Sequence, residues 1–258
     1  MSGTLVPIKE KLPRPKRQRQ ARSMAAPPRV TMSNRLTSSA HSLTLAEKRL
    51  VSLAISKINS TVAAPPDRII KSRIYAEEFA RLFEVDHRST AYRELQVASD
   101  KLFERQFSFM EDGVKAKRRW VITAKYQPKE GWVDIHWHPD VLEHLTGLKR
   151  HFTSYRLAQA SALRRASSWR LLELLMRYQN TGSAEYDVND FSQAMDAPPS
   201  LQKDFAQLRR RIIEPAVEEL RKKSNLLVNW EPIKAGRRVK AIRFDFMPNP
   251  QGALDLGI

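Results

Sequence analysis

The 258-residue sequence contains no cysteine. Disulfides and cysteine-ligated zinc are therefore excluded, and the chain suits a reducing compartment. It also lacks an apolar run of the roughly 18 residues that a membrane-spanning helix needs. The N-terminus is basic but no apolar segment follows, so no secretory leader is expected. The glycine-rich G-x-x-x-x-G-K-[ST] pattern that cradles phosphates is missing, and no ATPase is implied. Acidic residues are under-represented, 28 against 45 Lys plus Arg, which leaves a formal net charge of +17. Such an excess attracts polyanions through release of their counterions.

The excess is uneven. Residues 1–35 hold nine bases, one acid and five prolines, Pro7, Pro13, Pro15, Pro27 and Pro28. A segment so poor in apolar residues cannot offset its ordering entropy. We expect a disordered basic arm over 1–35, serving either as a solvated tail or as a non-specific tether to DNA. The remainder is only mildly basic, so a binding face there must come from local clustering. A hydrophobic share of 41% is enough for packed cores. The length accommodates two domains of about 100 residues each.

Beyond the arm, two units have similar layouts. In the first, over 36–152, Thr44 and Glu47 have capping-box spacing. Leu43, Ala46, Leu50, Ala54 and Ile58 then recur at helical intervals. A short helix with Phe79, Leu82 and Phe83 inward and a longer helix over Thr90–Arg105 come next. Trp120–Tyr126 and Trp132–Trp137 alternate as two strands. The second unit, over 153–248, opens with a helical stretch whose Leu171, Leu172, Leu174 and Leu175 are too dense to be exposed. A short strand, a short helix, the Pro198-Pro199 turn and a long helix from Ser200 follow. Two strands joined by the basic turn Lys234-Ala-Gly-Arg-Arg238 complete it, and 249–258 form a C-terminal tail. The pairs Arg118-Arg119 and Arg237-Arg238 stand at nearly equal distances from the ends of their long helices, and each is expected to open a strand after a turn. Helix, strand, charged hairpin and strand make a winged helix, so the expected fold class is α+β, two tandem winged-helix domains behind a disordered basic arm.

The long second-domain helix is the expected reader. Phe205, Leu208, Ile212, Ala216 and Leu220 fall on one side at helical periodicity, with Lys203, Gln207 and Arg210 opposite and Arg211 on the flank. Arg209 is expected nearer the buried edge, reaching outward only along its stem. Arginine reads guanine bidentately in the major groove, glutamine can read adenine, and lysine can hold phosphate. Pro215 is expected to kink or break the helix, separating a reading half from a core half. In the hairpin, Arg237, Arg238 and Lys240, together with Lys234, can contact backbone or minor groove. In the first unit, Arg88, Arg93, Arg118 and Arg119 are the corresponding candidates.

His136-Trp-His138 has the His–bulky–His form of a metal-binding motif found in DNA-nicking enzymes. Tyr155 is the nearest downstream nucleophile, and nothing around it in the sequence supports that role. No metal ligand, catalytic residue or cofactor is assigned.

Several of these segments resemble the Rep-type plasmid replication initiators. They are Ser33-Asn-Arg-Leu-Thr37, His41-Ser-Leu-Thr-Leu-Ala-Glu-Lys-Arg-Leu50, Ala91-Tyr-Arg-Glu-Leu95 and Phe103-Glu-Arg105. Further on come Phe152-Thr-Ser-Tyr155, Leu171-Leu-Glu-Leu-Leu175, Arg211-Ile-Ile-Glu-Pro-Ala216 and Gly236-Arg-Arg-Val239. The resemblance spans about residues 33–247. It implies two winged-helix domains and sequence-specific binding to direct repeats (iterons) in double-stranded origin DNA. It further implies an initiating monomer and an autorepressing homodimer, with the first domain serving as dimer interface and secondary DNA contact and the second as main iteron reader. Host initiator, replicative helicase and chaperones are the implied partners, and bacterial cytoplasm the implied location. The family offers no catalytic residues to carry over. A winged-helix repressor without initiator activity and a metal-dependent nickase are the competing readings.

Overall fold

The computed structural model describes residues 27–39, 42–65, 68–111 and 113–250. The first unit begins with strand β1 (Arg29–Ser33), which runs into helix α1 (Asn34–Ser38). Helix α2 (Leu45–Ile55), strand β2 (Lys71–Tyr75), and helices α3 (Ala76–Phe83) and α4 (Arg88–Glu104) follow. Strands β3 (Gln106–Glu111), β4 (Val114–Arg119), β5 (Val121–Gln127) and β6 (Trp132–Trp137) come next, then helix α5 (Pro139–Leu142) and strand β7 (Phe152–Arg156). Sequence spacing is realised at the start of α2. The Thr44 amide donates to Glu47 Oε2 at 2.8 Å and the Glu47 amide to Thr44 Oγ1 at 3.4 Å.

Residues 29–35 are not part of a free arm. β1 pairs antiparallel with β7, Val30 opposite Tyr155 and Met32 opposite Thr153. Val30 and Met32 are buried, and Arg29 Nε donates to Ser154 Oγ at 3.1 Å. Short alternation of Val30 and Met32 is weak evidence in sequence; it becomes a strand because β7 supplies the ladder. The same pairing ties Phe152–Arg156 to β1. The rest of the expected arm, 1–26, and residues 251–258 of the tail lie outside the described residues.

The second unit contains α6 (Ala158–Ser161), α7 (Ala166–Met176), β8 (Ser183–Asp187), α8 (Val188–Ala194), α9 (Pro199–Gln202) and α10 (Phe205–Leu208). A π-helical turn (Arg209–Ile213) leads into α11 (Glu214–Lys223), and β9 (Leu226–Ala235) and β10 (Arg238–Pro248) close the unit. Leu171, Leu172, Leu174 and Leu175 of α7 are fully buried.

The two units share one topology. Each has a three-stranded sheet whose last strand in sequence lies in the middle, giving β2-β6-β5 and β8-β10-β9. The equivalent hairpins are therefore β5–β6 and β9–β10. This corrects the arginine-pair correspondence. Arg118 and Arg119 close β4 rather than opening a strand, and β3–β4 is a separate two-stranded hairpin inserted between α4 and β5. The turn that matches Gly236-Arg237 is 128–131, whose only base is Lys129. Phe107 anchors the inserted hairpin, packing against Trp120 with ring centroids 5.1 Å apart.

Between the units lies a buried polar cluster on α7. Glu173 is completely buried. Its Oε2 accepts from Lys48 Nζ of α2 at 2.5 Å and its Oε1 from the Tyr155 hydroxyl of β7 at 2.9 Å. Trp169 Nε1 donates to that hydroxyl at 2.9 Å. Arg170 reaches the Ser39 carbonyl at 2.7 Å and also donates to the Ala194 carbonyl at the end of α8. Removing one partner of a buried ion pair leaves the other charge uncompensated, which costs about 3–5 kcal/mol. Lys48→Ala is therefore expected to lower unfolding free energy by about 3–5 kcal/mol in urea titrations. A loss under about 1 kcal/mol would mean that water replaces the ammonium at this site.

Candidate nucleic-acid interface

The candidate reader departs from one uninterrupted helix. α9 ends at Gln202, and Lys203 and Asp204 turn the chain before α10 begins. Asp204 caps α10 by accepting the Gln207 amide at 3.1 Å. Lys203 is exposed, but it stands at the corner before the helix rather than on its outer face. From Phe205 to Lys223 the path is continuous helix with a π turn inside it.

The π turn has a covalent cause. Pro215 has no amide hydrogen, and its ring collides with the carbonyl four residues earlier in an α-helix. Widening the helix relieves that collision, and the Glu214 amide instead donates to the Arg209 carbonyl five residues back. The helix therefore bulges rather than breaks. Its three arginines are all exposed, Arg209 included, with 55% of its side chain open to solvent. The expected position of Arg209 near the buried edge is thus corrected, because uniform 100° steps do not hold across a π turn. Arg209 Nε pairs with Glu214 Oε1 at 2.7 Å. Arg210 Nη2 donates to Gln207 Oε1 at 3.1 Å, fixing Gln207 alongside it. Arg211 is exposed between them and the buried Ile212 and Ile213.

The hairpin of the same unit carries the second basic cluster. Ala235 pairs with Arg238 across the two-residue turn Gly236-Arg237. Gly236 has φ 62°, a conformation in which a side chain is strained, and glycine leads such a turn for that reason. The register then slips, Val239 opposing Lys234 and Ala241 opposing Ile233, which leaves Lys240 as the extra residue of a bulge. Bulges re-aim a side chain and increase local twist. Lys234, Arg237, Arg238 and Lys240 are all exposed. Further down the strands, Arg243 meets Glu185 at 3.1 Å and Glu231 at 3.7 Å, so the cationic part is confined to the tip.

The first unit presents fewer of its candidates. Arg93 is exposed on α4. Arg88 starts α4 and donates to the Glu130 carbonyl at 2.9 Å, lying so close to Gly131 that a Cβ there would meet its Nη2 at 2.7 Å. Arg118 pairs with Asp140 at 3.2 Å and Glu143 at 2.6 Å and keeps only 19% of its side chain exposed. Arg119 donates to the Phe103 carbonyl at 2.9 Å and pairs with Glu104 at 3.4 Å. Arg73 is likewise occupied, forked onto Asp134 at 2.7 and 2.8 Å and stacked 3.7 Å from the Trp132 ring. That hydrogen-bonded guanidinium holds the Asp134 carboxyl below the usual range. The spacing that singled out Arg118 and Arg119 carries no information about the carboxylates beside them. Lys117, on the same inserted hairpin, is an exposed base that the sequence candidates did not include.

The histidine motif separates into two structural roles. His136 lies on β6, and burial followed by Lys125 pushes its pKa down. His138 is past the strand, where its Nδ1 accepts the Asp140 amide at 3.2 Å and caps α5. Among the described residues no three His, Asp or Glu side chains are grouped to hold a metal ion. Tyr155 is buried, and burial next to Glu173 raises its hydroxyl pKa well above the ordinary value. It is a core hydrogen-bonding residue, poorly placed as a nucleophile. Among the described residues no helix is long and apolar enough to cross a membrane.

Comparison with known proteins places this geometry. Residues 29–176 match the family model described as "Initiator Replication protein, WH1", and residues 187–246 match "Initiator Rep protein, WH2". An uncharacterized 27.6 kDa protein of Escherichia coli is 25% identical over 225 residues, covering 81% of this chain and 91% of its own. A crystal structure of Pi initiator protein in complex with iteron DNA superposes with a TM-score of 0.73 at 19% identity. That match covers 86% of this chain and 98% of the other. The fold is thereby two winged-helix domains.

If the hairpin tip touches DNA backbone, Arg237→Ala and Arg238→Ala should each weaken binding to all sequences. Each should reduce the log–log salt slope by about one unit per lost contact. An unchanged slope would remove the tip from the interface.

Proposed function

The chain belongs to the initiator replication protein family, with both winged-helix domains present, and from that premise we propose that it binds direct repeats (iterons) in double-stranded DNA at a plasmid origin. The carrying observation is the arrangement of the second domain. The three exposed arginines of the π turn and the exposed basic tip belong to one domain with winged-helix topology. A winged helix of this kind lays its helix in the major groove and its hairpin on the flanking backbone. Arg210, Arg211 and Gln207 read bases, Lys203 holds phosphate, Arg209 stays paired with Glu214, and Arg237, Arg238 and Lys240 track the backbone. The first domain adds a secondary contact through Arg88 and Arg93 on α4. Arg118 and Arg119 contribute there only after leaving their carboxylate partners. The reading involves no catalytic step; the chain acts by binding and by recruiting host initiator and helicase in a bacterial cytoplasm.

Footprinting on candidate origin DNA tests this reading. Protection of direct repeats at constant spacing is expected; protection of a lone inverted repeat would favour the repressor. Arg210→Ala should cost about 1–3 kcal/mol of specific binding and relax preference at one base position. Equal loss of specific and non-specific affinity would reassign Arg210 to phosphate. A chain starting at residue 27 should keep the same base preference, because the cut spares β1. Loss of preference would give the basic arm a reading role in place of a tether.

The first domain also serves as dimer interface in this proposal. β5 is one of the two outer strands of its sheet, and Ile122 on it is 38% exposed. An outer strand offers unpaired amides and carbonyls to a second copy. DNA that binds only the monomer then pulls the equilibrium toward monomer by mass action. Sedimentation with a single-repeat duplex should show one protein per duplex and the dimer vanishing as DNA is added. An intact dimer on one repeat would reject the switch.

A further inference from the structure

We propose that Pro215 and Glu214 together decide which of the three consecutive arginines face DNA, Pro215 by holding the π turn and Glu214 by withholding Arg209. The inference rests on the DNA-reading assignment above and goes beyond it, since neither residue is a DNA contact.

The core-facing positions record the turn. Leu208, Ile212, Ile213, Ala216 and Leu220 are all buried, so two adjacent residues, Ile212 and Ile213, face the core after the three arginines. An α-helix returns to one face every three or four residues. At the π turn the Glu214 amide donates to the Arg209 carbonyl five residues back, so one additional residue is accommodated there. α11 is anchored on the core side. Ala216, Val217 and Leu220 are buried, and Glu219 accepts the Arg164 amide at 2.8 Å. Its orientation is therefore set by packing. Straightening the helix would instead rotate the segment before it, Phe205–Arg211, by about one residue, or about 100°. The main aromatic contact of that segment to the hairpin is Phe205 with Trp230, ring centroids 6.5 Å apart.

The Arg209–Glu214 pair depends on the same geometry. Residues five apart in an α-helix point about 140° away from each other. Here they meet at 2.7 Å. The guanidinium of Arg209 is thereby laid along the helix onto a carboxylate, while Arg210 is steadied by Gln207 and Arg211 stays exposed. Two arginines are presented and the third is held back. Pro215 is a positioning residue for base readout, and Glu214 limits indiscriminate phosphate contact.

Two variants test this in the full chain, each measured against a panel of single-base variants of the preferred site and against unrelated DNA. Pro215→Ala should fold cooperatively, keep its affinity for unrelated DNA, and lose at least about tenfold in the ratio of specific to non-specific binding, with altered base preference. A merely structural role would move the melting temperature and leave the preference intact, and an unchanged ratio overturns the proposal. Should Pro215→Ala fail to fold, Glu214→Gln decides. It frees Arg209, so the log–log salt slope should steepen by about 0.9 unit and the specificity ratio should fall. No change in either overturns the proposal. Arg211→Ala separates this failure from that of the underlying reading. If Arg211→Ala loses base preference while both other variants keep it, the reading helix stands and the π-turn control falls. If the unsubstituted chain shows no base preference, the reading itself fails.

Discussion

Glu173 carries a carboxylate to full burial, and groups from distant parts of the chain converge on it. Lys48 comes from α2, Tyr155 from β7, and Arg170 from one turn back on the same helix, 3.6 Å away. A buried charge is tolerable only when paired and hydrogen-bonded. The requirement therefore fixes α2, β7 and α7 relative to one another. Burial pushes the Lys48 ammonium below its ordinary pKa even beside Glu173. Through Arg170 the same cluster reaches the end of α1 and the end of α8, so it ties the first winged helix to the scaffold of the second.

That tie gives the two basic elements of the second domain a fixed base. α11 packs on α7, and β9 and β10 pack on α11 and β8 in turn. The basic hairpin tip and the arginine-bearing π turn thus project from elements that share one core. The charges themselves are exposed and contribute little to stability. Their arrangement follows from the apolar side of the same segments, Ile212, Ile213, Val228, Ile242 and Phe244.

Much of this was legible in the sequence because it depends on local rules. The capping box at Thr44, the leucine density of α7, the glycine turn at Gly236 and the exposed hairpin bases are all set by nearest neighbours along the chain. Two elements were illegible for a different reason. β1 exists because β7 pairs with it 120 or so residues later, a register that no local pattern encodes. The β3–β4 hairpin was hidden because its strands pair only with each other. The pairing of Arg118-Arg119 with Arg237-Arg238 then followed spacing where topology gives a different match.

The sequence by itself determined the charge excess, the winged-helix repeat and the position of the arginine-bearing helix, since composition, periodicity and turn chemistry are properties of the chain alone. It also announced an irregularity at Pro215, because the missing amide is covalent. Only the tertiary structure decided the outcome. The helix bulged into a π turn rather than breaking, because α11 is held in phase by α7 and β9 and the strain had to be absorbed upstream. For the same reason Arg209 faces solvent beside Glu214; in the first domain Arg118 is turned onto Asp140 and Glu143 at and after α5. Which bases face outward depends on carboxylates brought in from other elements, and those distances exist only once the chain has folded.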